Sequence, residues 1–335
     1  MLPIRFLLLS LSFISATWAQ TQVSSDPVPT LKPRLLNRSL RFFEKPVSIR
    51  QESYGEPMPW TFIHLHDSEP TSLLAAQQVL PTIGGQLIRI LNRGQRNLHF
   101  THKNRKGMVD PNRIFSDTGI QQNLQEINRG LKPNYLVTPI QSFGRALLDM
   151  IPPTTEYVIA LHNNTDGKFS IKDYLPGGAR AKDARMVYMD SLQDPDDIVL
   201  TTDSLIYEHM SAACFNTIWQ DAENVRKDGS LSVYCSLRNI RYVNIETQHG
   251  SLNQYIRMLR HLMISLRNEQ HPGARQPSPP EPAFDNKSTP PTNPLNRRPK
   301  RQPIKKPLQG GVSFFVIPLG LEPRAHTLKV YCSTN

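Results

Sequence analysis

Residues 156–167 read Glu156-Tyr-Val-Ile-Ala-Leu161-His162-Asn-Asn-Thr-Asp-Gly167. The near-continuous apolar run, rich in β-branched and aromatic side chains, predicts a strand buried on both faces, as in the middle of a parallel sheet. A histidine closes it and turn-forming residues follow. Working outward, Trp60–Leu65, Gln86–Leu91, Asp197–Thr201 and Arg241–Ile245 read as further strands, and Asn97–Thr101 alternates like one. Thr71–Leu80, Gly119–Asn128 and Thr138–Met150 read as helices, and Asp203 as the cap of another. Ser251–Asn268 has the clearest helical stripe, through Leu252, Tyr255, Ile256, Leu259, Leu262, Met263 and Leu266. Strands alternating with helices predict an α/β domain: a mixed, mainly parallel central sheet flanked by helices.

Composition sets the boundaries of that domain. Met1–Ala19 has one basic residue, Arg5, then an apolar run, then small residues at 17 and 19. This is the pattern of a secretory signal peptide, too short to span a bilayer of about 30 Å. Residues 20–58 are rich in Pro and Arg and poorly periodic, and read as an extended lead-in; 59–270 form the domain. Residues 271–310 contain 11 of the 29 prolines and 8 Lys/Arg against 2 Asp/Glu, so 271–335 read as a disordered basic tail. Its end, from Gly320, resembles a peptide translated from a transfer-RNA gene, as if the reading frame had run on. Residues 20–270 carry a net charge of only +3 of the chain's +11, so the basic balance does not point to nucleic acid. The expectation is an exported protein, periplasmic or secreted, with no transmembrane segment. Its tail is positioned for weak contact with an anionic envelope surface. Export permits disulfides. Cys214 in a helical pattern and Cys235 in the alternating Leu231, Val233, Cys235, Leu237 are the expected pair.

Four clusters carry possible chemistry. His66-x-x-Glu69 lies in a strand-to-helix turn, where side chains three apart converge. Imidazole and carboxylate are suitable donors for Zn²⁺. Asp110-Pro-Asn112-Arg113-Ile-Phe115 sets an amide beside a guanidinium, a natural carboxylate clamp. His162 stands at the end of a buried strand, where a third ligand would sit. Glu246 ends another strand, where a carboxylate near a metal takes a proton from water. His64 rivals His66, but only His66 has the x-x-Glu spacing. His-Glu-x-x-His, Gly-x-Ser-x-Gly, Walker A and Gly-x-Gly-x-x-Gly do not occur in the sequence.

In this order, the set resembles the zinc carboxypeptidase superfamily, which includes metallocarboxypeptidases and aspartoacylase-like amidohydrolases. The resemblance spans about residues 59–268. It implies a zinc-exopeptidase-like fold with His66, Glu69 and His162 as Zn²⁺ ligands and Glu246 as general base. It also implies Asn112 and Arg113 as substrate-carboxylate ligands and Arg96 as a polariser of the scissile carbonyl. The sequence departs from the family where Leu161-His162-Asn163-Asn164 replaces an Asp-x-His-Ser-like context. The expected activity is hydrolysis of an amide bond next to a free carboxylate, on a peptide, with a peptidoglycan stem peptide as one candidate, or on an acyl amino acid. The alternatives are an N-acyl amino acid deacylase and a non-catalytic ligand-binding module on the same scaffold.

Overall fold

The computed structural model describes residues 30–128, 134–270 and 314–316. The expected signal segment and most of the expected tail lie outside these residues. The chain opens with a hairpin, β1 (Pro33–Phe42) and β2 (Lys45–Tyr54). Then come β3 (Trp60–His64), α1 (Pro70–Ile83) and β4 (Gly85–Leu91). A separate hairpin, β5 (Leu98–His102) and β6 (Arg105–Val109), leads to α2 (Asp117–Ile127) and α3 (Asn134–Leu148). The second half holds β7 (Tyr157–Asn164), β8 (Ala184–Met189), β9 (Ile198–Thr201), α4 (Ser204–Ala212) and β10 (Thr217–Gln220). It ends with α5 (Leu231–Ser236), β11 (Arg241–Gln248), α6 (Leu252–Gln270) and β12 (Phe314–Val316).

The main sheet runs β1-β2-β4-β3-β7-β11-β9-β10-β8-β12. Its centre, β4-β3-β7-β11, is parallel, as is the β9–β10 pair; the remaining neighbours are antiparallel. This is the α/β architecture with a mixed, mainly parallel sheet that the strand pattern predicts. All eight residues of β7 are buried, as its apolar run requires.

Alternation along the strands divides the core in two. Tyr157, Ile159 and Leu161 of β7 and Val243 and Ile245 of β11 pack under α1, α4 and α6. Val158 and Ala160 of β7 and Tyr242 of β11 pack on the other face with α2, α3 and α5. His162 and Glu246 share the parity of that second face. The parallel register sets Glu246 directly opposite His162. On β3, Ile63 pairs with Ala160, so the turn after His64 emerges beside His162.

Several expectations are corrected. Residues 33–54 are not a lead-in beside the domain but two strands of its sheet. β1 is exposed on both faces along most of its length and therefore shows no apolar alternation. Residues 231–236 are helical, because Ser230 caps the turn through Val233 N–H and Leu231 and Cys235, four apart, face the core. Cys235 is a free, buried thiol, so no Cys214–Cys235 bridge forms. Cys235 packs on the α2/α3/α5 face, whereas Ala213, beside Cys214, packs on the opposite one. Residues 314–316, inside the expected tail, pair antiparallel with β8.

One backbone contact shapes the wall of the cleft described below. A Cβ at Gly119 in α2 would stand 2.3 Å from Gly229 Cα and 2.6 Å from Asp228 O. Gly119→Ala must push the 228–230 loop outward. The expected cost is about 1–3 kcal/mol, as for other overpacked contacts, or a melting temperature lower by roughly 2–4 °C per kcal/mol. Calorimetry showing an unchanged melting temperature would remove this contact as a determinant of the loop.

Candidate metal centre

The turn between β3 and α1 brings His66 and Glu69 to the end of β7. Glu69 occupies the N-cap position of α1, but its carboxylate caps nothing. Asn163 substitutes: its Oδ1 accepts from Ser72 N–H at 3.0 Å, a type of bond worth about 1 kcal/mol at a helix start. Asn163 N–H in turn donates to Glu69 Oε2 at 3.1 Å. The helix start, the ligand-bearing turn and β7 are thus tied together by one residue.

Three donor groups converge in the buried interior. His66 Nδ1 lies 3.1 Å from His162 Nδ1 and 2.9 Å from Glu69 Oε1. His162 Nδ1 lies 3.0 Å from Glu69 Oε2. These side chains form the group of metal-ligating type among the described residues. On the far side of the His66 ring, Nε2 is 2.7 Å from Asp110 Oδ1. A proton held there leaves the Nδ1 lone pair facing the centre, as a carboxylate behind a metal-binding histidine does. Two ring nitrogens and a carboxylate around one point fit a borderline divalent cation. The buried carboxylates also make the centre favour positive charge. Burial opposes charge on His66, yet the Glu69 and Asp110 carboxylates overcome it and lift its pKa to about 9. Burial likewise opposes the Glu69 charge, but His66 and His162 pull its pKa well below the usual carboxylate range.

His64 is excluded from the centre. It shares the parity of Trp60 and Phe62 and turns towards α1, where Nε2 meets Glu69 O at 2.9 Å. Burial keeps it neutral, with a pKa of about 4. Its role is to brace the turn.

The other candidates line a cleft of about 460 Å³ that opens from the centre. Glu246 is steadied by Asn244 Nδ2 at 3.0 Å from Oε1. Burial raises its pKa, with neighbouring His162 acting against the rise. Asn112 and Arg113 lie in a short 3-10 turn capped by Asp110, whose Oδ1 accepts from Asn112 N–H. Asn112 Oδ1 accepts from Leu231 N–H at 3.0 Å, so this motif is braced by the start of α5. Arg113 reaches Asp228 at 3.5 Å across the cleft wall. Arg96 does not point freely into the cleft: it pairs with Glu69 and, at 3.4 Å, with Asp110. All the expected site residues therefore meet in one place, with Arg96 held on the metal-site carboxylates.

Two contributors were not assigned from the sequence. Asp110 was visible only as the first letter of its motif; its contact with His66 comes from the β6 end lying beside the β3–α1 turn. Tyr255 reads as one more apolar residue of the α6 stripe. In the fold its hydroxyl donates to Ile245 O at 2.7 Å and accepts from His162 N–H at 3.1 Å, pinning β7 to β11 at the level of the site.

No family model matches the chain, and no curated protein sequence matches it. Solved structures with a similar course include an aspartoacylase family protein from Mesorhizobium loti, 14% identical, covering 72% of this chain and 69% of that one, with a TM-score of 0.39. The murein-tripeptide amidase of Escherichia coli O157 is 14% identical over 70% of this chain and 92% of its own, with a TM-score of 0.38. Thrombin-activatable fibrinolysis inhibitor is 12% identical over 72% of each chain, with a TM-score of 0.42. At these values the functional reading rests on the site itself.

Proposed function

We propose that the protein is a zinc-dependent hydrolase that cleaves an amide bond next to a free carboxylate, in the manner of a carboxypeptidase. The observation that carries this reading is the convergence of His66 Nδ1, His162 Nδ1 and the Glu69 carboxylate within about 3 Å of one another, with Glu246 in register beside them. His66, Glu69 and His162 would hold Zn²⁺, which would supply Lewis acidity to the attacking water and the scissile carbonyl. Glu246 takes the proton of the attacking water and returns it to the leaving amine. Burial raises its pKa, which makes it a stronger proton acceptor than an exposed carboxylate. Arg113 and Asn112 grip the substrate carboxylate, and Asp228 keeps the guanidinium in the cleft wall. Arg96, half exposed and held on Glu69 and Asp110 at the cleft, is the residue assigned to polarise the scissile carbonyl.

The substrate class under this reading is a peptide or an acyl amino acid, with a peptidoglycan stem peptide as the envelope candidate. Export, periplasmic or secreted, is part of the same proposal and is supported by the Met1–Ala19 segment. Among the described residues, no helix is long and apolar enough to cross a membrane. The test is a screen of the zinc-loaded protein against N-acyl amino acids and peptides with free C-termini. Turnover that disappears on chelation supports the reading, and zinc-loaded protein with no hydrolysis across the screen removes it.

Arg113→Ala separates the clamp from the chemistry. Losing a charge-assisted hydrogen bond costs about 1.5–3 kcal/mol, roughly a tenfold to hundredfold loss in kcat/KM. The loss is expected on free-carboxylate substrates and to be small on their amides. Matched assays giving equal losses on both forms would show that Arg113 does not hold the carboxylate.

A further inference from the structure

The described charges are segregated across the sheet. Residues 32–54, which hold β1 and β2, carry Lys32, Arg34, Arg38, Arg41, Lys45 and Arg50 against two acids, Glu44 and the buried Glu52. Towards the opposite edge, residues 180–228, which include β8, hold ten Asp/Glu against five Lys/Arg, with Asp183, Asp190, Asp196 and Asp197 buried. The basic edge is joined to a second basic element. Phe43, in the β1–β2 turn, stacks on Phe100 of β5 at 4.4 Å, and Phe42 meets the same ring at 6.1 Å. This contact sets the tip of the β5–β6 hairpin, with Lys103 and Lys106, beside the face of β1 that carries Phe42.

On that face, alternation places Arg34, Leu36 and Arg38 in line with Leu40 and Phe42. Arg34, Arg38, Lys103 and Lys106 are exposed, and no ion pair is formed by them among the described residues. Apolar side chains stand among these cations: Leu36 is 45% exposed, and Tyr135, under Lys103 at 5.6 Å, is 42% exposed. Leu35, on the other face of the same strand, is 54% exposed. Surface leucines set between arginines, with an aromatic ring at the margin, match the two components of a lipid surface: anionic headgroups and the shallow apolar layer beneath them.

We infer that the β1 edge and the β5–β6 hairpin form a docking surface for an anionic lipid bilayer. The net acidic balance of the opposite side disfavours docking there. The inference is independent of the proposed reaction, and it assigns the contact to the folded domain rather than to the basic tail alone.

Sedimentation of the full chain with vesicles tests it. Binding is expected to phosphatidylcholine vesicles containing phosphatidylglycerol, and not to pure phosphatidylcholine. It should weaken on going from about 0.1 M to 1 M salt, where the screening length falls from about 10 to 3 Å. Arg34→Gln, Arg38→Gln and Lys103→Gln together, with the tail intact, should lower the partition coefficient roughly a hundredfold, about fivefold for each cation removed. The three sites are exposed, and a circular dichroism spectrum matching the parent confirms the fold. Leu35→Ser with Leu36→Ser should also weaken vesicle binding while leaving retention on soluble heparin unchanged. Undiminished vesicle binding by the triple variant would assign the contact to the tail and overturn the inference. Leucine variants that bind vesicles as the parent does would mark a general polyanion site and overturn the lipid assignment.

Discussion

His162→Ala and His66→Ala each empty the metal centre: zinc content is expected to fall from about one equivalent to near zero, because two remaining protein donors rarely hold a catalytic metal. The fold should survive the change at His162, whose backbone stays tied to Tyr255 through its N–H. Asp110→Asn should have a smaller effect of the same kind. The amide keeps the size of the carboxylate but loses the charge that orients His66, so metal affinity should drop roughly 10–100-fold. Competitive chelation with a zinc indicator measures both. Full zinc occupancy in the two alanine variants would sink the ligand assignment, and an unaltered affinity in Asp110→Asn would restrict Asp110 to capping the Asn112 turn.

Glu246→Gln is expected to leave zinc content and melting temperature close to those of the parent while lowering kcat by roughly 10²–10⁴, the usual contribution of a positioned acid or base. The substitution is nearly isosteric, and the amide oxygen of the new residue still accepts from Asn244 Nδ2. What disappears is the capacity to take and return a proton. KM should change little if, as proposed, the substrate carboxylate is held on Arg113 and Asn112 rather than here. Turnover of the variant at the parent's rate would exclude Glu246 as the base, whatever the metal content.

The central strands and the long helix were legible because burial on both faces leaves an unbroken apolar run in β7, and burial on one side leaves the 3.6-residue stripe of α6. The chemistry-bearing residues were legible as types and order. Their assembly was not, since the pairing of Glu246 with His162 is a register between strands about 80 residues apart, which no local pattern encodes. His64 and His66 differ in role because the strand ends at His64 and the turn reverses direction. β1 escaped notice because an edge strand exposed on both faces needs no alternation. The 231–236 segment misled because Leu231, Val233, Cys235 and Leu237 do alternate, yet Ser230 supplies a helix cap. Asp110 and Tyr255 act through contacts distant in sequence, and their surroundings in the chain look like an ordinary turn and an ordinary amphipathic helix.

Cys235, the free cysteine among the described residues, turns the molecule into its own unfolding clock. Burial pushes its pKa up to about 12, so in the closed state it is neither ionised nor reachable by a thiol reagent. Alkylation must then wait for α5 to lift from the sheet. When reclosing is faster than the reagent, the labelling rate reports the free energy of that opening; when it is slower, the rate reports the opening step itself. Because Asn112 is bonded to the first residue of α5, occupancy of the clamp by a carboxylate ligand should slow this clock, and the extent of slowing gives a binding isotherm without any assay of catalysis.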